Sequence, residues 1–193
     1  MISPSVSMKY HMTSEQVMTE EAQVKAAQQD SKQFGPLYNK YFEPVFRFVY
    51  QRVDQKQNAA DLTSQVFLKA MLNLSKYEHR GLPFSSWLFR IAKNELADQF
   101  RRKKAERVVN VETDSLREMM VEMKEDRYEM YHGKLAKLMT DLRDEDLDMI
   151  EMRFFEKRSF QEIGGIMEIT ENNAKVKLYR LLDRMKSLLT NKK

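Results

Sequence analysis

The stretch "RSFQEIGGIMEITENNAKVKLYRLLDRMKSLL" (158–189) predicts two helices joined by a tight turn. Ser159 and Glu162 have the S-x-x-E spacing of a capping box, which opens a short helix through Met167. Thr170 follows a short turn and is a candidate N-cap of the second helix. The pattern therefore predicts a pair of capped helices near the C-terminus.

The second helix separates an apolar stripe from a polar, basic face. The stripe comprises Ala174, Leu178, Leu181, Met185 and Leu188. The residues that point away from it are Asn172, Lys175, Val176, Tyr179 and Arg180. This arrangement is typical of a helix-turn-helix, whose second helix enters the major groove of DNA. An ordinary αα-hairpin is the alternative, and the basic outer face favours DNA binding. A further helix is predicted just upstream, over 142–157.

A second basic helix is predicted from "FSSWLFRIAKNELADQFRRKK" (84–104). At about 100° per residue, one arc of this helix is apolar and suits a protein core. The opposite arc carries Arg90, Lys93, Asn94, Arg101 and Lys104. Trp87 lies on the border between the two arcs. A cation row beside an aromatic ring suits a surface that binds a nucleic-acid backbone and stacks bases. A plain solvated face is the alternative, and this helix alone leaves both open.

Two helices are predicted upstream of it. In "QNAADLTSQVFLKAMLNL" (57–74) the predicted buried side comprises Leu62, Val66, Phe67, Ala70, Met71 and Leu74. A second row comprises Asp61, Gln65, Leu68 and Leu72, which either packs on another helix or docks a partner protein. In the aromatic-rich segment 34–53, Pro44 is expected to kink the helix or begin a new turn. The loop 75–83 carries Tyr77 and Arg80.

The composition limits the classes of protein that are possible. The 193 residues include 32% charged side chains, carry a formal net charge of +4 and contain no cysteine. The lack of cysteine fits a reducing cytoplasm, and no apolar run approaches the roughly 20 residues that cross a bilayer. The segments show helical periodicity, so we predict an all-α protein. The lack of a long apolar run also predicts no membrane insertion. Motifs of nucleotide, zinc-protease and serine-hydrolase sites are absent from the sequence, so we expect no enzyme, metal, cofactor or small-molecule substrate.

Charge is distributed unevenly along the chain. Residues 34–104 carry 13 basic and 6 acidic side chains, whereas residues 105–133 carry 4 basic and 8 acidic ones. Residues 134–193 return to a net charge of +2. This order predicts two small helical domains joined by an acidic linker over 105–133.

These segments resemble a known family. The stretch from "YFEPVFRFVYQRV" to "SSWLFRIAKNELADQFRR" resembles region 2 of bacterial RNA polymerase sigma factors of the extracytoplasmic-function (ECF) type. The stretch from "DLRDEDLDMIEMRFFEKRSF" to "LLDRMKSLL" resembles their region 4. The resemblance implies region 2 over 34–104 and region 4 over 134–190. Residues 1–33 lie outside it, as an N-terminal extension that is either disordered or a short added helix. The chain departs from the family pattern at Gly164, where Ala is usual, and at Glu168, where Gly is frequent.

The resemblance also implies roles for individual residues. The predicted core-polymerase contacts are Asp61, Leu62, Gln65, Leu68 and Leu72. The predicted contacts to the melted −10 element are Tyr77, Arg80, Arg90, Lys93, Asn94, Arg101 and Arg102. The predicted contacts to the −35 duplex are Asn172, Asn173, Lys175, Val176, Lys177, Tyr179, Arg180 and Arg184. Trp87 is expected to be mostly structural.

The function implied by this resemblance is that of a sigma factor. Such a protein binds the clamp and flap regions of core RNA polymerase and directs promoter recognition, DNA melting and transcription initiation. The acidic linker would thread polymerase channels, and an anti-sigma factor is an implied partner. The alternative is a stand-alone helix-turn-helix regulator with a helical sensor domain.

Overall fold

The computed structural model describes residues 14–79, 81–103 and 113–190. Within these ranges all regular structure is helical, which confirms the predicted all-α class. The described residues divide into two compact units, one mainly within 14–103 and one mainly within 113–190. None of the described helices is both long and apolar enough to cross a membrane.

In the described part of the N-terminal unit there are four α-helices. These are α1 (Ser14–Gln29), α2 (Gly35–Tyr50), α3 (Lys56–Asn73) and α4 (Phe84–Lys103). Short 3-10 turns precede α2 at Ser31–Phe34 and follow α3 at Leu74–Lys76. The predicted bounds of α3 and α4 are confirmed to within a residue because amphipathic repeats of these lengths specify helices well.

The core of this unit lies where α2, α3 and α4 pack on one another. Its largest contributors are Leu37, Val45, Phe48, Leu62, Phe67, Phe84, Leu88 and Phe89. The helix α2 continues through Pro44 as one element, so of the two expected alternatives at this proline the new turn is wrong. Tyr38 of α2 is 38% exposed.

The N-terminal extension is helical where the structure describes it. Of the two states expected for residues 1–33, residues 14–29 adopt the added helix, α1. Val24 and Ala27 are buried on its inner side, and α1 packs against α2 and α4. The first 13 residues lie outside the described ranges.

Between residues 113 and 190 the C-terminal unit contains five shorter elements and one long helix. They are α5 (Thr113–Glu122), α6 (Tyr128–Thr140), α7 (Asp144–Ile150), a π-helical turn (Glu151–Phe155), α8 (Phe160–Met167) and α9 (Glu171–Thr190). The upstream helix predicted over 142–157 is thus α7 followed by a π turn, in which the amide of Glu156 bonds the carbonyl of Glu151 at 2.9 Å.

The two capping signals predicted for the helix pair are confirmed. The Ser159 hydroxyl accepts from the Glu162 amide at 3.2 Å, and the Glu162 carboxylate accepts from the Ser159 amide at 3.0 Å. The Asn173 amide donates to the Thr170 hydroxyl oxygen at 3.2 Å, which caps the start of α9. Two unpaired helix ends are therefore satisfied by the predicted side chains.

The turn between α8 and α9 explains why glycine occupies position 164. A β-carbon at that position would lie 2.8 Å from the carbonyl oxygen of Ile169 and 3.2 Å from the amide nitrogen of Glu171. The missing side chain lets the Ile169 amide reach the Gly164 carbonyl at 2.9 Å. Glu168 closes the helix in the left-handed conformation, with φ of 57°. The turn is tight because Gly164 has no side chain to block it and Glu168 adopts the left-handed conformation.

Part of the predicted acidic linker is ordered helix. Residues 113–122 form α5, and α6 begins at Tyr128. The side chains of Leu116, Met119 and Met120 are buried, and the Ser115 hydroxyl donates to the Phe154 carbonyl at 3.2 Å. The acidic charges occupy the outer face of a helix that packs within the C-terminal unit. Residues 104–112 lie outside the described ranges, and the domain limits remain predictions.

Candidate DNA and protein interfaces

The outer face of α9 presents a row of polar and basic side chains. The residues predicted to contact the −35 duplex and exposed on this helix are Asn172, Asn173, Lys175, Val176, Lys177, Tyr179, Arg180 and Arg184. The opposite face anchors the helix through Ala174, Leu178, Leu181, Leu182, Met185 and Leu189. Leu188 is 50% exposed, so its predicted place in the apolar stripe is wrong, and Leu189 is buried instead. The helix is therefore fixed on one side and free to face a groove on the other.

Tyr179 is held by neighbours within the C-terminal unit. Its hydroxyl donates to the Glu122 carboxylate on α5 at 2.6 Å. Its ring lies 6.2 Å from the Phe160 ring, measured between centroids. The hydrogen bond to Glu122, together with burial, raises the pKa of the Tyr179 hydroxyl. The sequence did not predict this link because the two residues are 57 positions apart.

Arg184 is engaged in an ion pair with α7. Its guanidinium contacts the Asp146 carboxylate at 2.8 Å, and Arg143 contacts the same carboxylate at 3.2 Å. Burial raises the pKa of Asp146, but the hydrogen bonds from the two arginines outweigh that effect and hold it below its ordinary value. Half of the Arg184 side chain remains exposed, so it can still approach a phosphate.

Three of the predicted −10 contacts on the polar face of α4 differ in how exposed their side chains are. Arg90 and Lys93 are partly buried, whereas Asn94 is exposed. Glu95, next to Asn94, is buried and forms an ion pair with Lys69 on α3. Asn94 is therefore exposed next to Glu95, whose ion pair with Lys69 joins α4 to α3.

The remaining predicted −10 residues lie towards the end of α4 and in the segment that precedes it. Arg101 is exposed and paired with Asp98 three residues earlier on α4. Arg102 lies in α4, but its side chain is outside the described part of the structure, and Arg80 lies outside the described residues altogether. Tyr77 lies at the end of the 3-10 turn that follows α3.

Tyr77 is the centre of an aromatic cluster at the start of α4. Its ring meets the Phe84 ring edge-on at 5.2 Å and the Trp87 ring at 5.0 Å. Desolvation and the nearby charge of Glu20 raise the pKa of the Tyr77 hydroxyl to about 12. Trp87 is partly buried against both rings, which is consistent with a structural role.

The row predicted to dock polymerase forms an apolar ridge on the surface of α3. Leu68 is 57% exposed and Leu72 is 70% exposed, with Asp61 and Gln65 exposed further along the helix. Leu62 is only 3% exposed and packs in the core, so we remove it from the predicted contact set. Sequence periodicity alone missed Met71, which was predicted to be buried but is 44% exposed and extends the ridge.

A stripe of aromatic rings runs along α2. The residues at successive i, i+4 positions are Tyr38, Phe42, Phe46 and Tyr50. The Phe42 and Phe46 rings are 6.2 Å apart, and the Phe46 and Tyr50 rings are 5.7 Å apart. Tyr38 and Phe42 also contact Phe67 of α3, which joins the stripe to that helix. The i, i+4 spacing of these four residues predicts that they share one side of α2, but it does not predict how exposed that side is.

Comparison with known proteins finds one family match and several similar sequences. Residues 37–106 match Sigma-70 region 2, which covers α2, α3 and α4. The chain is 29% identical over 158 residues to the ECF RNA polymerase sigma factor BldN of Streptomyces coelicolor, covering 81% of this chain and 60% of BldN. It is 28% identical over 155 residues to the ECF RNA polymerase sigma factor SigM of Bacillus subtilis, covering 79% of this chain and 92% of SigM.

A solved structure agrees with the fold. The structure of CnrH in complex with the cytosolic domain of CnrY aligns with a TM-score of 0.58 and 15% identity, over 88% of this chain and 96% of that chain. This alignment agrees with two helical units, one with a basic helix and one with a capped helix-turn-helix. The region 2 match and these relatives support an ECF sigma factor of the sigma-70 family.

Proposed function

We propose that this protein is a promoter-specificity subunit of bacterial RNA polymerase, which binds the core enzyme and directs promoter recognition, melting and initiation. The observation that carries the proposal is the order of two surfaces in one chain. A segment that matches Sigma-70 region 2 precedes a capped helix-turn-helix with a basic, exposed recognition helix. Neither surface alone would distinguish a polymerase subunit from a regulator.

The C-terminal unit reads the −35 element as duplex DNA. The exposed amides of Asn172 and Asn173 can make paired hydrogen bonds with base edges in the major groove. Lys175, Lys177 and Arg180 contribute charge that binds the phosphates beside the groove. The buried stripe holds α9 at a fixed angle, so these contacts are made without reordering the helix.

The N-terminal unit holds the melted −10 element on the polar side of α4. The exposed Asn94 amide can hydrogen-bond the Watson–Crick edge of an unpaired base, and the Tyr77 cluster offers a nearby aromatic surface. Arg90, Lys93, Arg101 and Arg102 supply positive charge for the backbone of the separated strand. Captured single-stranded bases shift the equilibrium from closed toward open promoter, because only the open form offers them.

The exposed ridge on α3 docks the clamp of the core polymerase. Leu68, Met71 and Leu72 form an apolar patch with Asp61 and Gln65 on the same exposed side. An apolar centre with polar residues at its rim is the usual composition of a protein–protein interface. A flap contact for the C-terminal unit, an anti-sigma factor and passage of the acidic segment through polymerase channels rest on the family resemblance alone.

The protein performs no chemistry of its own in this proposal. Its effect is to supply binding energy that discriminates promoters from other DNA, and no cofactor is required. It acts in the cytoplasm because core polymerase and chromosomal DNA are found there. Both sequence relatives described above are named as RNA polymerase sigma factors, and no observation favours the stand-alone regulator.

A binding experiment separates these two functions. Fluorescence anisotropy of a labelled promoter fragment is measured with core polymerase, with this protein and with both together. We expect a tight, salt-sensitive and sequence-specific complex only when both proteins are present, because phosphate contacts release counterions. Tight specific binding by this protein alone would contradict the proposal and indicate a stand-alone regulator.

A further inference from the structure

The helix α1 contacts the two ends of the loop that joins α3 to α4. This helix covers residues 14–29 and lies outside the segment matched as Sigma-70 region 2. The loop follows Tyr77 and leads into Phe84, and both residues belong to the aromatic cluster proposed to face the −10 element. The position of Tyr77 and the start of α4 therefore depends on what holds this loop.

Gln28 holds the first end of the loop. Its side-chain Nε2 donates to the carbonyl oxygen of Leu74 at 2.9 Å and to that of Tyr77 at 2.9 Å. Both hydrogens of one amide group are thus used, and together they bracket the 3-10 turn at Leu74–Lys76. The Gln28 side chain therefore fixes the backbone of Tyr77 at the end of the 3-10 turn that follows α3.

Glu20 holds the second end of the loop. Its Oε2 accepts a 2.7 Å hydrogen bond from the backbone amide of Phe84, the first residue of α4. Its Oε1 accepts from Lys40 Nζ at 2.7 Å and from the Tyr41 hydroxyl. The carboxylate is 2% exposed, and a negative charge at a helix N-terminus is favourable to the helix dipole. Glu20 therefore acts as a cap for α4 that comes from a distant helix.

Burial alone does not require these polar contacts. The apolar anchors of α1 are Val24 and Ala27, which an apolar helix of the same length could provide. A buried carboxylate is costly unless its hydrogen bonds are complete, so Glu20 is tolerated at this position because Lys40, Tyr41 and the Phe84 amide all donate to it. What the two polar side chains add is a defined geometry for the Tyr77 backbone and the Phe84 amide.

We propose that Gln28 and Glu20 of α1 are positioning residues, which hold Tyr77 and the start of α4 in the arrangement that captures the melted −10 strand. The inference rests on the proposed function and assigns a role to the N-terminal helix. It predicts that weakening these bonds impairs binding of the unpaired strand while leaving the −35 duplex contact intact, since that contact belongs to the other unit.

The test compares Gln28→Glu with Gln29→Glu. The first change keeps the shape of the side chain but replaces both N–H donors by a carboxylate that faces two carbonyl oxygens. The second introduces the same charge at an exposed neighbouring position. A third variant, Gln28→Lys, restores a donor that can bond both carbonyls. Circular dichroism melts establish that each variant is folded at the temperature of the measurements.

Two signals are recorded for every variant. The first is the emission of Trp87, the one tryptophan in the sequence, whose ring is 5.0 Å from that of Tyr77 in the free protein. The second is the affinity of the assembled holoenzyme for a single-stranded oligonucleotide that carries the −10 sequence, compared with its affinity for a −35 duplex. We expect Gln28→Glu to shift the emission and to weaken −10 binding by roughly fivefold to tenfold, the effect of losing one or two hydrogen bonds.

The control variants decide the interpretation. Gln29→Glu should leave both signals as in the wild type, and Gln28→Lys should recover most of the −10 affinity. Equal behaviour of Gln28→Glu and Gln29→Glu, or equal loss of −10 and −35 binding, would overturn the positioning role. If the wild-type holoenzyme showed no preference for the −10 strand, the proposed function would fail, and the positioning role with it.

Discussion

The carboxylate of Glu122 accepts a 2.6 Å hydrogen bond from the hydroxyl of Tyr179 and joins helix α5 to the proposed recognition helix α9. The contact is reinforced nearby, where Lys186 donates to the carbonyl of Met123 at 2.9 Å and to that of Lys124 at 3.1 Å. An acidic side chain therefore lies beside a residue predicted to contact the −35 duplex. In the proposed complex its charge would repel the phosphates that the basic face of α9 is proposed to attract.

Removal of the Glu122 charge is expected to strengthen binding of the −35 duplex. The change Glu122→Gln keeps the side-chain shape but removes one negative charge next to Tyr179. We expect the affinity for a −35 duplex to rise by roughly twofold to fivefold at low salt, with a smaller gain at high salt because of screening. The pKa of Tyr179 should fall toward its ordinary value, which NMR titration of ring-labelled tyrosine can measure.

The matched control for this prediction is Asp126→Asn, which removes an exposed carboxylate a short distance along the chain. A general effect of net charge would raise the affinity equally in both variants. An unchanged affinity in Glu122→Gln would show that the carboxylate does not oppose DNA at this surface.

The exposed ridge on α3 predicts a separation between polymerase affinity and stability. The change Leu68→Glu places a charge at the centre of an apolar docking patch, so the affinity for core polymerase should fall by roughly tenfold or more. The melting temperature should be nearly unchanged because Leu68 is 57% exposed. Met18→Glu is the control, since Met18 is 71% exposed on α1 in the same unit. Wild-type affinity in Leu68→Glu would exclude this ridge as the docking surface.

Leu62 should behave in the opposite way. It lies in the core at 3% exposure, so Leu62→Ala removes buried methyl groups and leaves a cavity. The free energy of unfolding should fall by about 2–5 kcal/mol in chemical denaturation. A loss of polymerase affinity with full stability would instead support the direct contact first expected for this residue.

Asn94 tests the assignment of strand capture to α4. The exposed amide is expected to bond an unpaired base, so Asn94→Ala should reduce open-complex formation, measured by permanganate reactivity of −10 thymines. Binding of the −35 duplex should stay at the wild-type level. The variant Asn39→Ala, an exposed asparagine of α2, should change neither signal. Equal losses in both assays for Asn94→Ala would argue against this role.

The stability of the C-terminal unit should depend on Glu125 in acid. Two hydrogen bonds from the Arg127 side chain, at 2.7 and 2.8 Å, hold the pKa of Glu125 at about 2, below its ordinary value of 4.5. Because the folded pKa is the lower one, the stabilisation is present above about 4.5 and is lost as the pH falls toward about 2.

The corresponding variant is Glu125→Gln. Its free energy of unfolding should be lower than that of the wild type at neutral pH and should change less between pH 4.5 and 2, the range given by the two pKa values. Asp114→Asn, at an exposed carboxylate of α5, should keep the wild-type slope. A wild-type slope in Glu125→Gln would show that the pair with Arg127 does not contribute to acid sensitivity.

Sequence reasoning was most accurate where the determinants of structure are local. The capping box at Ser159 and Glu162, the N-cap at Thr170 and the bounds of α3 and α4 depend on residues within a few positions of one another. Burial at the margins of helices was less predictable. Leu188 and Leu189 both flank the apolar stripe of α9, and the packing of other helices decides which one is buried.

Long-range polar contacts could not be predicted at all. Glu20 is buried only because Lys40, Tyr41 and the Phe84 amide supply its hydrogen bonds from distant positions. The sequence does contain a weak indication of α5, because Leu116, Met119, Met120 and Met123 have the spacing of a buried helical face. The acidic composition of the segment outweighed this indication. Acidic composition indicated a linker, but the charges occupy the side of α5 that faces solvent.

The measurement that tests the central claim most directly is transcription from a promoter library by core polymerase, with and without this protein. Start sites are mapped by sequencing the RNA ends. We expect the protein to direct initiation to a discrete set of templates that share −10 and −35 sequences, at defined start sites. Identical start sites in the two reactions would contradict the account.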